Sequence, residues 1–317
     1  MGLVDAMYKW AFLFLFTMSF GTYFLHHCAL WWYKTQNLKL KYKASWALVT
    51  GGSSGIGKSI ANKLAMQGLN VVLVALGDSL LDTTFDEIKA AYPKQQFRKV
   101  AVNLGVEGYL PEIAKATAEI DVQLVFNNAG YLLTGFFHER TLEQLMLNLN
   151  CNAISGVQIT HHFVREMIDK KLPGCVVFTS SAAAAMPSPF SVQYAATKSF
   201  ISSFGASLAP EVKPSGIDVL VFHPSPVASR FYDKAHKIDM LEFFKQFAVS
   251  PDDLPDTVFA SIGRTIWRDI GPTAIAFRCL MKIIDYNFLS FAAAAFAKYL
   301  PDFKRQLVAE AAAKKGK

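Results

Sequence analysis

Three side chains in the middle of the chain have the types and spacing of an acid–base centre. Tyr194 and Lys198 stand four residues apart in Tyr194-Ala195-Ala196-Thr197-Lys198, so in a helix the phenol and the ammonium share one face, a turn apart. A free tyrosine titrates near ~10, far from the working pH of an acid–base catalyst. A neighbouring ammonium favours the phenolate and pulls that value down. Ser181, thirteen residues before Tyr194, can donate a hydrogen bond to a substrate carbonyl. No metal chemistry is expected, because the four cysteines (Cys28, Cys151, Cys175, Cys279) are scattered, with no Cys-x-x-Cys and no histidine at ligand spacing.

A second constellation lies upstream. Thr50-Gly51-Gly52-Ser53-Ser54-Gly55-Ile56-Gly57 falls between an apolar run and a helical pattern, where a glycine-rich turn can carry a dinucleotide. Gly51 permits the tight turn, Gly55 lets backbone approach a pyrophosphate, and Gly57 allows close helix–strand packing. The phosphates then meet the free N–H groups of a helix N-terminus.

These residues need a scaffold, and the sequence between the ends supplies one. Short β-branched runs alternate with helical patterns, which predicts a parallel sheet covered on both faces. The expected strands are Trp46–Thr50, Asn70–Ala75, Phe97–Val102, Val122–Phe126, Cys175–Thr179 and Asp218–Phe222. Helices are expected through Met66, over Ser79–Ala91, Leu110–Ala118 and Thr141–Ile168 (two), and over Val192–Val212, which carries Tyr194 and Lys198. Gly68 suits a helix terminus. This is one α/β catalytic domain over 45–268, a doubly wound Rossmann-type sheet, between an anchor with a basic linker (1–44) and an apolar tail (269–317).

Hydrophobic residues make up 52% of the 317 and charged residues 18%, and the apolar excess is concentrated at the ends. From Trp10 to Tyr33 there is no Asp, Glu, Lys or Arg. As a helix this run reaches about 36 Å, against about 30 Å for a bilayer core. Trp10 at one end and Trp31, Trp32 and Tyr33 at the other suit membrane interfaces. Lys34, Lys39, Lys41 and Lys43 follow it, which places the catalytic domain in the cytosol. His26 and His27 point instead toward a hairpin or interfacial segment. Near the other end Arg278, Lys282, Asp285 and Lys298 interrupt an apolar stretch, so amphipathic helices, interfacial or packed on the core, are expected there. The net charge of +7 lies largely in two clusters beside these apolar segments, which favours a membrane surface over nucleic acid.

The glycine turn, Asn127-Asn128-Ala129-Gly130 after the fourth strand, Ser181, Tyr194 and Lys198 occur in the order seen in the short-chain dehydrogenase/reductase family, which the chain resembles over roughly 45–268. The resemblance implies a nicotinamide oxidoreductase with Tyr194 as general acid/base and Ser181 orienting the carbonyl. It implies that Lys198 lowers the Tyr194 pKa and binds the nicotinamide ribose, and that Asn152 holds a water of the proton relay. It implies cofactor contacts from Gly51, Ser53, Ser54, Gly55, Ile56, Gly57, Asn103, Asn128, Ala129, Gly130, Tyr194, Lys198, Pro224, Val227 and Ser229, and a homodimer through the helices of Asn152 and Tyr194. The apolar ends and the Lys314-Lys315-Gly316-Lys317 terminus, which resembles a dilysine retrieval signal, are similar to the membrane-bound 17β-hydroxysteroid dehydrogenase and very-long-chain 3-ketoacyl-CoA reductase branch. They imply a hydrophobic ketone substrate and the endoplasmic reticulum membrane.

Some positions depart from the family pattern. Pro224-Ser225-Pro226 replaces Pro-Gly. Ala75-Leu76-Gly77-Asp78 carries neither the Arg that holds a 2′-phosphate nor an acid at the strand end for a 2′-hydroxyl. Ser53, Ser54 and Lys58 are the remaining phosphate partners, so NADP(H) is favoured over NAD(H). NAD-dependent oxidation of a sterol or retinol-type alcohol, and a non-catalytic scaffold on the same fold, are the alternatives. His161, His162 and His223 are assigned to surface or packing, and Phe231–Phe247 to core or a lid over the substrate.

Overall fold

The computed structural model describes residues 3–233, 238–305 and 307–308; the lysine-rich terminus lies outside them. Among the described residues seven strands form one parallel sheet in the order β3-β2-β1-β4-β5-β6-β7. They are β1 (Trp46–Thr50), β2 (Asn70–Ala75), β3 (Phe97–Ala101), β4 (Val122–Asn127), β5 (Gly174–Thr179), β6 (Ile217–Pro224) and β7 (Trp267–Ile270). β1, β4, β5 and β6 are buried along their whole length, as strands sandwiched between helices must be. The expected α/β fold is the one observed.

The helices are α1 (Leu3–Phe16), α2 (Thr22–Trp31), α3 (Leu38–Tyr42), α4 (Gly55–Met66), α5 (Ser79–Ala91), α6 (Tyr109–Thr117), α7 (Leu142–Leu149), α8 (Ser155–Asp169), α9 (Val192–Val212), α10 (Asp239–Lys245), α11 (Leu254–Ser261), α12 (Pro272–Ile283) and α13 (Tyr286–Phe296). Successive residues of β1 face opposite layers. Ala47 and Val49 pack with Ile60, Leu64, Ile88, Val258 and Phe259 of α4, α5 and α11. Trp46 and Leu48 pack with Ile113, Ile159, Phe163 and Ile201 of α6, α8 and α9. The order reverses between β1 and β4, so the crevice above their carboxyl ends is where this architecture binds ligands.

Two features differ from the sequence expectation. The stretch read as a basic linker belongs to the body: Leu38 and Tyr42 are buried, Lys39 Nζ donates to the Gly68 carbonyl at 2.6 Å, and Lys41 pairs with the buried Asp218 at 3.1 Å. Two of the four lysines assigned to a membrane surface therefore hold the core together. A seventh strand, β7, crosses the expected boundary at 268/269; Arg268 and Asp269 in it are buried but charged, so no apolar run announces it. The stretch over 141–168 is the expected pair of helices, α7 and α8, joined by a π-helical turn, Asn150–Ile154.

α1 and α2 join through a second π-helical turn, Thr17–Gly21. Together they make one helix whose span Val4–Trp31, 28 residues, has the length and apolar composition to cross a membrane. Its second half is docked: Lys282 Nζ of α12 donates to the Ser19 carbonyl at 2.8 Å, the Tyr23 hydroxyl donates to Asp269 at 3.1 Å, and His27 and Leu30 are buried. α12 and α13 meet at a bend of 104°, and α13 leaves Phe288, Phe291 and Phe296 exposed.

Candidate active site

The glycine turn follows β1 at the reversal point. Gly51 (φ +64°) and Gly55 (φ +50°) adopt the left-handed conformation that glycine enters without penalty. A Cβ on Gly57 would lie 2.1 Å from the Gly51 carbonyl oxygen, and one on Gly51 2.9 Å from Ala129 Cα. Only glycine lets the turn, α4 and the segment after β4 approach so closely. That segment is fastened to the turn by hydrogen bonds: the Thr50 hydroxyl accepts from Asn128 N at 2.9 Å and Ala129 N at 3.0 Å, while Asn128 Nδ2 donates to the Thr50 carbonyl at 3.1 Å. Ser54, the residue before α4, places no side-chain cap on that helix. Its first-turn N–H groups therefore face the crevice with the dipole end that favours phosphate. The turn fits a dinucleotide.

On the other side of the crevice α9 brings Tyr194 and Lys198 beneath the end of β5. Both are buried. The Tyr194 phenol is hydrogen-bonded to Ser181, which adopts extended backbone as the cap of a short 3-10 turn, Ala182–Ala185. Lys198 Nζ lies 5.7 Å from the Tyr194 ring centroid but donates to the Thr179 carbonyl at 2.8 Å. Burial is the largest influence on both groups. It holds the Tyr194 phenol above its usual range, which Ser181 partly offsets, and lowers the Lys198 ammonium to about 8. The Lys198 ammonium is turned to the Thr179 carbonyl rather than to the phenol, and burial sets the direction of the Tyr194 shift.

Asn152 sits in the π-helical turn, and its amide clamps Tyr131, accepting from Tyr131 N and donating to Tyr131 O, both at 2.9 Å. Gly130 runs against this pair; a Cβ there would meet Asn152 Oδ1 at 3.2 Å and Lys198 Nζ at 3.3 Å. Asn127, Cys151, Asn152, Ser155 and Thr179 line a cavity of about 10 Å³, the size of one water. The buried Asn127 Oδ1 has no partner among the described residues.

Other expected cofactor residues are arranged less simply. Ser229 closes over the glycine turn, its Cβ 3.3 Å from where a Gly55 Cβ would stand. Val227 bridges to Val249 after α10, and Pro224 ends β6 beside them. Ser225, in place of the usual glycine, is buried and turned away from the crevice, accepting from Ala274 N at 3.1 Å in the first turn of α12. Asn103 Oδ1 accepts from Gly105 N at 2.9 Å. Asp78 caps α5 through Leu81 N at 3.0 Å. Lys58, read as a phosphate partner, pairs with Glu87 at 2.5 Å. Ser53 lends its carbonyl to Thr84 at 2.7 Å.

The rim is aromatic. Phe231 packs on Tyr194 with centroids 5.7 Å apart, and Phe303 joins Phe136 and Phe190 at 5.3 and 6.2 Å. His223, assigned to surface or packing, is a packing residue: it is buried and hydrogen-bonded to Ser202 at 2.9 Å, a partner the sequence did not name. Its position at a strand end before Pro224, with Ser202 one turn beyond Lys198, was the available signal.

The short chain dehydrogenase profile matches residues 45–238. A very-long-chain 3-oxoacyl-CoA reductase-like protein of Arabidopsis thaliana is 32% identical over 73% of this chain and 76% of its own. The very-long-chain 3-oxoacyl-CoA reductase of Podospora anserina is 32% identical over 56% of this chain and 53% of its own, so the chain spans about half to three quarters of these relatives. A solved 7β-hydroxysteroid dehydrogenase superposes with a TM-score of 0.70 at 24% identity, covering 78% of this chain and 95% of that one, a likeness of fold. The chain therefore belongs to the short-chain dehydrogenase family, on the branch of the very-long-chain 3-oxoacyl-CoA reductases, and is an oxidoreductase of the CH–OH/C=O pair.

Proposed function

We propose that this enzyme reduces the ketone of a long-chain 3-oxoacyl-CoA, or of a comparably hydrophobic lipid, with NADPH at a membrane surface. The observation that carries the reading is the hydrogen-bonded Ser181–Tyr194 pair facing a glycine turn across a crevice rimmed by phenylalanines. The nicotinamide, when bound, supplies the hydride. Ser181 donates to the substrate carbonyl and fixes its plane. Tyr194 releases its phenolic proton to the oxygen as the carbonyl carbon becomes tetrahedral, leaving an alcohol and a phenolate. Lys198, held beneath Gly130, binds the ribose and stabilises that phenolate. Asn152 and the small cavity beside it hold the water through which the phenol is reprotonated.

NADPH is favoured because Asp78, the nearest acid to the end of β2, is committed to capping α5 and is not placed to hold a 2′-hydroxyl. Structural neighbours are in complex with NADPH and with NAD, which supports a nicotinamide cofactor of either kind. The lipid class rests on the names of the relatives and on the exposed aromatic residues of α1 and α13. The same residues, with Lys34 and Lys43 after α2, support an endoplasmic reticulum membrane location and a cytosolic active site.

The deciding experiment uses the full chain in detergent, with NADPH or NADH and a long-chain 3-oxoacyl-CoA, wild type beside Tyr194→Phe. NADPH-dependent turnover that disappears in the variant supports the reading. Preferential NAD-dependent oxidation of a sterol or retinol reverses the direction, and binding of neither cofactor removes the reading.

A further inference from the structure

Behind Lys198 the main chain of α9 is held by a buried file of polar contacts that the chemistry above does not use. Ser180 Oγ lies 3.0 Å and Ser202 Oγ 2.7 Å from the Lys198 carbonyl oxygen, and the two hydroxyls lie 2.7 Å apart. Ser202 Oγ is 2.9 Å from His223 Nε2, and His223 Nδ1 is 3.6 Å from Asp269 Oδ1. Asp269 also accepts from Arg278 Nε and from the Tyr23 hydroxyl, each at 3.1 Å. Ser180, Ser202, His223 and Asp269 are all buried, and His223 Nδ1, facing Asp269 at 3.6 Å, makes no hydrogen bond.

The file has a direction. A carboxylate beside Nδ1 favours the tautomer that carries its proton there, since a lone pair facing Asp269 is repelled. Nε2 is then an acceptor, so the Ser202 hydroxyl donates to it, and Ser180 is left to donate to the Lys198 carbonyl. Burial lowers the His223 pKa to about 4, so the ring is neutral and acts as a fixed hydrogen-bonding group. α9 lies tight on β6 at this level: a Cβ on Gly205 would stand 2.4 Å from Val221 Cγ2. A turn of α9 about its axis is therefore resisted at Ser202 and Gly205 together.

We propose that Ser202 and His223 are positioning residues for Lys198: with Asp269 and Ser180 they fix the rotational setting of α9, and through it the line from the ammonium to the cofactor ribose and to Tyr194. The inference rests on the assignment of Lys198 made above. Displacements of about 1 Å at a reacting centre cost on the order of 10²-fold in rate, so small rotations of α9 are enough to be read.

The test compares wild type, Tyr194→Phe, His223→Ala, Ser202→Ala and His223→Gln as full chains in detergent, scoring NADPH affinity by fluorescence, melting, and turnover of a long-chain 3-oxoacyl-CoA across pH. His223→Ala and Ser202→Ala are expected to bind NADPH several-fold more weakly and to lose about tenfold or more in kcat with little change in KM for the ketone. Their alkaline limb should move, although Tyr232 and Cys151, the titratable groups acting on Tyr194 and Lys198, are untouched. His223→Gln, which keeps an acceptor for Ser202, should restore both. A purely structural role lowers the melting temperature but leaves the affinity and pH profile of the folded protein alone, and that result overturns the inference. If the wild type binds NADPH without reducing the ketone, the substrate reading fails and the affinity series still decides this one. If wild type turns over but Tyr194→Phe does too, the site assignment falls and this inference with it.

Discussion

The Lys198 ammonium and the Tyr194 ring share a helix face at 5.7 Å, yet the hydrogen bond that Lys198 makes goes to the Thr179 carbonyl, 2.8 Å away. The lysine is thus aimed across the crevice rather than along the helix toward the phenol. Burial then decides both titrations, raising Tyr194 and lowering Lys198 to about 8.

The pH dependence follows from those directions. Tyr194 stays protonated through the neutral range, as a general acid for reduction must be. The useful form of Lys198 is the ammonium, present below about 8 and lost above it. Reduction measured as kcat/KM from pH 6 to 10 is expected to be flat at first and then fall through a limb near that value. A rate that rises instead across pH 8 contradicts the role given to the lysine.

Removing the proton donor isolates its contribution. Tyr194→Phe keeps the ring that packs on Phe231 and deletes only the hydroxyl. Turnover should drop by about 10²- to 10⁴-fold while NADPH still binds, which single-turnover kinetics and cofactor fluorescence can separate. Ser181→Ala should lower the rate in the same direction.

Gly57→Ala places a methyl 2.1 Å from the Gly51 carbonyl oxygen. The turn must open, so cofactor affinity should fall sharply and stability by about 1–3 kcal/mol. Calorimetric titration with NADPH, alongside melting, checks both.

Asp218 is a stability site remote from the chemistry. It accepts from the Tyr42 hydroxyl at 2.5 Å and pairs with Lys41 and Lys213, which keep its carboxyl below the usual range despite burial. Asp218→Asn leaves Lys41 facing a neutral amide, and a loss of about 3 kcal/mol is expected, with the kcat of the folded protein unchanged. Denaturant unfolding monitored beside activity reads the two effects separately.

His223 supplies an acid-side prediction. Its folded pKa is about 4, below the ordinary value of 6.5, so between these values the unfolded chain takes up a proton that the folded chain refuses. Stability therefore falls as pH drops from 6.5 toward 4, by on the order of 3 kcal/mol in all. Melting curves over that window should steepen their decline in wild type relative to His223→Gln.

Much of this was legible from the chain. The strands Trp46–Thr50 and Asn70–Ala75 are legible because Trp46–Val49 and Val71–Ala75 are unbroken apolar runs, as strands buried on both faces favour. The spacing of Tyr194 and Lys198 and the order of the glycines placed the crevice before any coordinates. What could not be read was long-range charge pairing. Lys41 looks like any lysine after an apolar segment until Asp218 arrives beside it, and the acids and bases of β7 look like loop until Arg278 and Tyr23 surround Asp269. The aim of Lys198 could not be read for a related reason: spacing gives the shared face, but the direction of a long side chain depends on carbonyls contributed by another strand.

The docking of the N-terminal helix has a consequence for depth. Lys282 reaches Ser19 and the Tyr23 hydroxyl reaches Asp269, so from Ser19 onward one face of the helix is committed to the body, while Leu25 and Trp31 stay exposed on the other. What projects is Leu3–Met18, about 24 Å at ~1.5 Å per residue, against a hydrocarbon core of about 30 Å. The helix is accordingly a rigid mast and not a leash. On the proposed membrane location it would hold the crevice at a set height and tilt over the lipid, so that a substrate lying partly in one leaflet could enter without the enzyme first having to orient itself.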